Sequence, residues 1–298
     1  MRILVLGGTG YLGRHVAERL RALPGAHVLA AGRRTAGLGA DLARDRPERL
    51  AETLAAAAPD AVVNCAGATG GDAVTLAEVN ARGPAALCAA LREAAPTARL
   101  VHLGSAAEYG PGSPGTPVTE SAPACPVTPY GATKLAGTVA VTSAALDAVV
   151  LRVGNPVGPG APVASLPGRL AALLRTAGRD PGAVLRLGDL SAHRDFVDVR
   201  DVARAVELAV TAPGPLPPVL NTGGGRAVPV RELAHGLARQ AGFPGTLEEG
   251  AGGSARSGQV SWQCSDISAA ARALGWRPVH TLDDALAALW AATLERVT

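Results

Sequence analysis

Short apolar runs alternate along the chain with longer segments in which apolar residues recur every three or four positions, a pattern typical of an α/β protein. Residues 3–6 form an uninterrupted apolar run and predict a buried strand. The helical periodicity that follows it ends at Pro24-Gly25, and residues 26–31 predict a second strand. The chain therefore opens with a predicted β-α-β unit.

Three regularly spaced glycines, Gly7, Gly10 and Gly13, lie between this first strand and its helix. Glycine permits a sharp turn, lets a diphosphate approach the exposed N–H groups, and lets the helix pack close to the strand. An ordinary glycine-rich turn would show the same letters. A strand–turn–helix context followed by a second strand favours dinucleotide binding instead.

The alternation of strands and helices continues downstream. The further predicted elements are a short third strand that ends at Asp41-Leu42, a helix over 47–58, a strand over 60–68, a helix over 80–95, strands over 99–104 and 147–153, and a closing helix over 282–294. Strands separated by helices pair in parallel, so we predict an α/β fold with a Rossmann-type, doubly wound parallel sheet. Its ligand crevice is expected at the carboxyl ends of the strands.

Composition narrows the class of protein. With 298 residues, 48% of them hydrophobic, the chain can bury a large core. The four cysteines show no metal-ligand spacing, and arginines scattered among acids at a net charge of +3 argue against a nucleic-acid surface. Neither an apolar leader nor a run of about 18 apolar residues occurs. We therefore expect a cytoplasmic protein with no metal, nucleic-acid or membrane partner.

The predicted second strand is followed by Arg33 and Arg34. In a dinucleotide fold this position faces the adenosine ribose, where an acid binds a free 2′-hydroxyl and an arginine accommodates a 2′-phosphate. NADP(H) is therefore favoured over NAD, with solvent-facing loop arginines as the alternative. Asp41 is placed to reach the adenine amino group, or is a loop aspartate.

Lys134 is the single lysine among 28 basic residues, and Tyr130 stands one helical turn before it. An ammonium near a phenol stabilises the phenolate and lowers the tyrosine pKa, which suits proton transfer to a ketone or from an alcohol. A chance surface lysine is the alternative. The strand over 99–104 delivers Ser105 at its carboxyl end, where a turn-capping serine is the alternative, and the Pro/Gly-rich loop over 111–129 is expected to cover this site.

These motifs together resemble the extended short-chain dehydrogenase/reductase family of nucleotide-sugar epimerases, dehydratases and reductases. The resemblance rests on the glycine motif, the Tyr130-x-x-x-Lys134 pair and the segment from Gly104 to Gly110. It implies that Tyr130 is the general acid/base, that Lys134 binds the ribose and tunes the tyrosine, and that Ser105 polarises the substrate carbonyl. The cofactor contacts that we predict are Gly7, Gly10, Tyr11, Leu12, Arg33, Arg34, Asp41, Leu42, Ala66, Gly67, Ala68 and Lys134.

The resemblance also implies a substrate site. Asn155, Arg194 and Arg256 match the residues that contact the sugar-nucleotide diphosphate, although a surface salt bridge is the alternative for Arg256. Ser105, Ala106 and Ala107 complete the predicted substrate contacts. Asp195 and Asp201 are interpreted as structural, the first forming a turn and the second capping a helix.

The function implied is NADPH-dependent reduction of a nucleotide-diphosphate 4-keto-6-deoxy sugar, with GDP-4-keto-6-deoxy-mannose reductases closest in look. A sugar-nucleotide 4-epimerase with tightly bound NAD is the alternative, and a non-catalytic NADP sensor is a third. Residues 1–156 and 191–222 are assigned to the cofactor domain, and residues 157–190 and 223–298 to a smaller C-terminal substrate domain. Small residues on the helices near Asn80 and Tyr130 predict a homodimer.

Dehydration is not expected. Family dehydratases carry an acid two positions before the tyrosine of the Gly104–Gly110 segment, which is Tyr109 in this chain; the residue at that position is Ala107, preceded by Ala106. Glu108 follows one position later, and on an extended segment it would point the opposite way.

Overall fold

A computed structural model describes residues 1–33, 38–250, 252 and 260–295. Its centre is a parallel sheet of six strands in the order β2-β1-β3-β4-β5-β9. These strands are β1 (Arg2–Leu6), β2 (His27–Ala31), β3 (Ala61–Asn64), β4 (Arg99–Ser105), β5 (Ala148–Val153) and β9 (Val219–Thr222). Asn64 pairs with His102 and Ser105 with Val153, so the carboxyl ends of the central strands share one edge.

Helices cover both faces of this sheet, which confirms the predicted fold class. On one face lie α1 (Tyr11–Arg21) and α7 (Val199–Thr211), and on the other lie α2 (Pro47–Ala57), α4 (Gly83–Ala94) and α5 (Pro129–Thr142). Apolar residues that alternate along β1 supply both cores: Ile3 and Val5 face α1 and α7, whereas Leu4 and Leu6 face α2 and α4.

A second cluster of elements packs at the carboxyl edge. Strands β6 (Asn155–Val157), β8 (His193–Asp198) and β10 (Ala227–Pro229) form one small sheet, and β7 (Val184–Leu187) and β11 (Thr246–Glu249) form another. Helices α6 (Leu166–Ala177), α8 (Val230–Ala241) and α10 (Leu282–Glu295) share a separate apolar core, and the short α9 (Ser268–Leu274) packs against the main one.

The structure corrects two predicted elements. Asp41 and Leu42 lie in a turn, and over the described residues 38–42 the backbone forms only an isolated bridge, between Gly39 and Gly32, so the predicted third strand is wrong there. The helix expected to begin at Asn80 begins earlier.

That helix starts with α3 (Ala73–Ala77), whose first turn Asp72 caps through Thr75 N–H. It continues as a π-helical turn over Glu78–Arg82 and then as α4. Asn80 therefore lies inside the helix, in the widened turn.

The predicted cap of α7 is also wrong. Asp198 caps this helix by accepting from Arg200 N–H, whereas Asp201 lies in its first turn. Asp201 is fully buried and accepts from the N–H groups of Val279 and His280, so its role is structural, as expected, but it ties the C-terminal segment to α7.

Within the part of the chain that the structure describes, no helix has the length and apolar character needed to cross a membrane.

Candidate active site

The glycine turn after β1 brings backbone very close to backbone. Gly7 has a φ of +73°, and a Cβ placed on it would stand 2.6 Å from the nitrogen of Ala66 at the end of β3. A Cβ on Gly13 would stand 2.1 Å from the carbonyl oxygen of Gly7. Gly10 is the N-cap of α1 and has no side chain with which to cap the first N–H groups of that helix. The result is an open helix N-terminus, which attracts anions.

Asn80 holds the backbone of Ala68, in the segment after β3, although no sequence motif had assigned Asn80 to the site. Its side chain accepts from Ala68 N–H at 2.9 Å and donates to the carbonyl oxygen of Ala68 at 2.8 Å and to the hydroxyl of Thr133 at 3.3 Å. Asn80 thereby joins the segment after β3 to α5. The only sequence signal was the scarcity of asparagine.

Ser105 ends β4 and begins a 3₁₀ turn over Ala106–Glu108. Its Oγ accepts from Ala107 N–H at 3.2 Å, so the serine does cap a turn, as the alternative interpretation held. The hydroxyl hydrogen is not used in this bond, so the hydroxyl can still donate a hydrogen bond. Ala106 is buried and Ala107 half-buried.

The direction of Glu108 follows from the same turn. The segment was expected to be extended, but it forms a 3₁₀ turn. The fully buried carboxylate of Glu108 pairs with Arg152 at 2.7 Å. It is therefore turned away from Ala106 and Ala107 by the 3₁₀ geometry and by its buried partner.

Helix α5 lies unusually close to these segments because it carries glycines at its contacts. A Cβ on Gly131 would stand 2.4 Å from the carbonyl oxygen of Ala107, and one on Gly137 would stand 2.2 Å from that of Asn80. This packing places Tyr130, half-buried at the first turn of α5, beside the Ser105 turn.

Lys134, one turn further along α5, is 5% exposed, so the chance-surface-lysine alternative is wrong. Its ammonium donates to the carbonyl oxygen of Leu103 on β4. Burial lowers the pKa of Lys134 to about 8, while the charge of Glu108 and the thiol of Cys65 oppose that fall. The site thus holds a cation that loses its proton at a lower pH than an ordinary lysine does.

The predicted substrate residues Asn155 and Arg194 lie on the adjacent strands β6 and β8. The amide of Asn155 donates to Oε1 of Gln263 at 3.3 Å, and Gln263 in turn donates to the carbonyl oxygen of Ala106 at 2.9 Å. Gln263 therefore connects the Ser105 turn with Asn155. No motif in the sequence marked it.

Arg194 donates to the carbonyl oxygen of His193 and forms no salt bridge with a described carboxylate. Burial lowers the pKa of its guanidinium. A half-buried arginine without a counter-ion is a candidate anion-binding group. Asp195, next to it, is fully buried and accepts from Gly225 N–H and Ser265 N–H, which agrees with its structural interpretation.

Comparison with known proteins shows the family to which the chain belongs. Residues 3–223 match the model of the NAD dependent epimerase/dehydratase family. The chain belongs to this family. It is 40% identical over 306 residues, covering 98% of this chain and 95% of the relative, to dTDP-6-deoxy-L-talose 4-dehydrogenase (NAD(P)(+)) of Kitasatospora kifunensis.

Two other members are more distant. The dTDP-L-rhamnose 4-epimerase of Burkholderia thailandensis is 28% identical over 53% of this chain and 44% of its own length. The structure of UDP-glucose-4-epimerase from Stenotrophomonas maltophila, with bound NAD and formylated UDP-arabinopyranose, superposes with a TM-score of 0.84 at 26% identity over 100% of both chains.

As a member of the epimerase/dehydratase family, the protein is an NAD(P)-dependent oxidoreductase of the extended short-chain dehydrogenase/reductase type. Its glycine turn fits such a cofactor, because a side chain at Gly7 would collide with the backbone of Ala66 and open the turn, and because the first turn of α1 contains no acidic residue to repel a diphosphate. Among the described residues no group of three His, Cys, Asp or Glu side chains has a metal-binding arrangement.

The remaining predicted cofactor residues differ in their contacts and exposure. Tyr11 donates to the carbonyl oxygen of Gly158 at 3.4 Å, and burial raises its pKa. Asp41 accepts from Ala43 N–H at 3.0 Å within its own turn. Arg33 is exposed just after β2, Leu12 and Ala66 are half-buried and Gly67 is exposed. Arg34 and Arg256 lie outside the described residues.

Proposed function

We propose that this protein transfers a hydride at C4 of a nucleotide-diphosphate 6-deoxy sugar, reducing the 4-keto group with NADPH. The 40% identical relative is named as a 4-dehydrogenase of a dTDP-6-deoxy sugar that uses NAD(P)(+), and a dehydrogenase of this kind runs in either direction. The name of this relative favours dTDP as the nucleotide over the GDP that the motifs first suggested.

One observation carries the proposal: α5 holds a buried ammonium at Lys134 one turn from Tyr130, packed against the turn that begins at Ser105. In the proposed reaction Tyr130 donates its phenolic proton to the C4 oxygen as that oxygen gains negative charge. Ser105 donates a hydrogen bond to the same oxygen, and Lys134 stabilises the phenolate that Tyr130 becomes. A nicotinamide cofactor, when bound, would supply the hydride.

The cofactor would be held by the open N-terminus of α1 and by Lys134, with Arg33 and Arg34 at the adenosine ribose. We propose NADP(H) rather than NAD because two arginines and no acid follow β2. The exposed position of Arg33 leaves its guanidinium accessible to a 2′-phosphate.

The diphosphate of the sugar nucleotide would lie against Asn155 and Arg194, with Arg256 as a further contact. Arg194 supports this assignment because its half-buried charge has no described carboxylate to pair with. In this proposal residues 157–190 and 223–298 complete the substrate pocket, to which the cofactor domain contributes Ser105, Asn155 and Arg194.

Net dehydration is excluded from the proposal. Eliminating water from the sugar requires an acid and a base beside it in addition to the tyrosine. Ala106 and Ala107 offer only methyl groups, and the nearby carboxylate of Glu108 is fully buried against Arg152.

The test is to mix purified protein with NADPH and a dTDP-4-keto-6-deoxy sugar and to follow the NADPH absorbance, with GDP- and UDP-linked keto sugars as parallel arms. We expect NADPH to be oxidised in the presence of the dTDP sugar, and we expect Tyr130→Phe to lose nearly all of this activity. Failure to oxidise NADPH with every keto sugar would reject the reductase.

A 4-epimerase is the second candidate, because two of the family members similar to this chain are named as 4-epimerases. An epimerase recycles its nicotinamide and would convert a 4-hydroxy sugar nucleotide without added cofactor, with NAD visible in the absorbance spectrum of the purified protein. The reductase instead consumes one NADPH for each sugar reduced.

A further inference from the structure

Glu108 connects the turn of Ser105 to the interior of the sheet. One carboxylate oxygen accepts from Ser105 N–H at 2.7 Å, and the other accepts from Nε of Arg152 at 2.7 Å. The side chain of Glu108 is 0% exposed and that of Arg152 is 6% exposed. A buried carboxylate costs desolvation energy, which this pair of charge-assisted bonds offsets.

The carboxylate lies directly beside β4. A Cβ placed on Gly104 would stand 2.8 Å from Oε1 of Glu108, so only glycine leaves the room that this oxygen occupies. The preceding residue is Leu103, whose carbonyl oxygen accepts from the ammonium of Lys134. Glu108 therefore reaches both the backbone of Ser105 and the surroundings of Lys134.

The other ionisable groups around Lys134 carry little compensating charge. Burial raises the pKa of the Cys65 thiol to about 12, so that it stays neutral at physiological pH. Burial and the charge of Lys134 hold the pKa of His102 well below its ordinary value, so that its imidazole is neutral as well.

Two further groups complete these surroundings. Tyr130 lies one turn before Lys134 on the same helix. The guanidinium of Arg152 lies on the other side of Glu108, 4.4 Å from the centre of the Tyr109 ring. Among the described groups named here, Glu108 is thus the carboxylate that offsets the charge of the buried ammonium, consistent with its opposing the fall in the pKa of Lys134.

We propose that Glu108 is a positioning residue with two effects: it holds the backbone of Ser105 in place, and its negative charge keeps Lys134 in the ammonium form. The inference rests on the proposed function only in so far as Ser105 and Lys134 act in turnover. A purely structural salt bridge would stabilise the fold without affecting the charge of Lys134.

The single lysine of this chain makes the second effect directly measurable. Protein labelled with ¹³C-lysine gives one side-chain Cε signal, whose shift against pH reports the pKa of Lys134. In Glu108→Gln, which keeps the shape of the side chain, we expect that pKa to fall by about one unit. In Glu108→Asp, which keeps the charge but is shorter, it should stay near the wild-type value.

A matched control is Glu249→Gln, which breaks a glutamate–arginine pair with Arg231 at the surface on β11. It should leave the Lys134 titration unchanged. A Lys134 pKa in Glu108→Gln equal to that of the wild type, in protein that still unfolds cooperatively, would overturn the proposal. This readout needs no substrate, so it is independent of the proposed reaction.

The pH profile of turnover tests both effects together. Removing a negative charge lowers the pKa of neighbouring cations, so the alkaline limb of kcat should move to lower pH in Glu108→Gln. In Glu108→Asp the limb should stay in place while kcat falls, because the shorter side chain cannot hold Ser105 and Arg152 at once. Loss of rate in Glu108→Gln without movement of the limb would reject the electrostatic effect. Absence of turnover in the wild-type protein would reject the proposed function and leave the lysine titration to decide the inference.

Discussion

Gly137 packs so closely on Asn80 that a Cβ at the glycine would stand 2.2 Å from the asparagine carbonyl oxygen. This contact joins α5 to the π-helical turn and thereby sets the distance of Tyr130 and Lys134 from the carboxyl edge of the sheet. The position of α5 therefore depends on the absence of a side chain at Gly137, because any larger residue must push α5 and the π-helical turn apart.

Replacing Gly137 by Val should lower stability and reduce turnover. Overpacking a tight contact costs about 1 to 3 kcal/mol, and displacement of α5 would move Tyr130 away from Ser105. Chemical denaturation and kcat measured on the same protein would check this. Gly182→Val is the control, because a Cβ at Gly182 would meet only a flexible Asp180 carboxylate at 3.4 Å; wild-type stability and turnover in Gly137→Val would contradict the prediction.

Lys134→Arg should lose most of the activity although it keeps the charge. The guanidinium is planar and larger than the ammonium, and the buried position beside Leu103 accommodates a compact donor. We expect kcat to fall about a hundredfold or more, measured as NADPH oxidation by the keto sugar. Near-wild-type turnover would remove Lys134 from the proposed machinery.

Turnover that depends on charged Lys134 should decline as the pH rises through about 8, the value to which burial lowers the pKa of this lysine. The sign follows because deprotonation removes the positive charge that favours the Tyr130 phenolate. A pH series of kcat on the saturated enzyme would measure it. A rate that stays flat up to pH about 10, the range of an ordinary lysine, would contradict the buried environment.

Replacing Arg33 and Arg34 together by Ala should raise the Michaelis constant for NADPH about tenfold or more while leaving that for NADH nearly unchanged. The reason is that only NADPH carries the 2′-phosphate that a guanidinium can pair with. Parallel titrations with both cofactors provide the measurement. Equal changes for NADPH and NADH would mean that these arginines do not read the 2′-phosphate.

The predicted homodimer should appear as a dimeric mass in sedimentation at micromolar concentration. On the outer face of α5, Val139 is 55% exposed, which suits a helix that packs against a second copy. Val139→Asp should therefore shift the mass toward the monomer. Val279→Asp is the control and should stay dimeric, because Val279 is 66% exposed but lies outside the helices that contain Asn80 and Tyr130. A monomeric wild-type protein would reject the prediction.

Local patterns made much of the site predictable from sequence. The glycine motif specifies a strand–turn–helix because each of its roles is backbone geometry within a few residues: the φ of Gly7 is +73°, and Gly13 lies against the Gly7 carbonyl. The spacing of Tyr130 and Lys134 places both on one helical face wherever that helix lies. The alternation of strands and helices likewise predicted the parallel sheet and the position of Ser105 at its carboxyl edge.

Contacts between distant parts of the chain decided the rest. The direction of the Glu108 side chain depends on Arg152, which lies in β5. The link from Ala106 to Asn155 depends on Gln263, which is 157 residues away from Ala106. No local periodicity records such pairs. The third strand was predicted wrongly for a related reason, since a short segment such as the one ending at Asp41-Leu42 becomes a strand only if a neighbouring strand edge is available to pair with its backbone.

The relations between groups within one helical turn or one glycine turn are therefore predictable from local sequence, because short-range sterics and helix geometry impose them. The burial of Lys134 against Leu103 and the carboxylate beneath Ser105 follow instead from the packing of distant segments. Burial and long-range pairing set the charge state of these groups, and both arise when the sheet and its helices pack together.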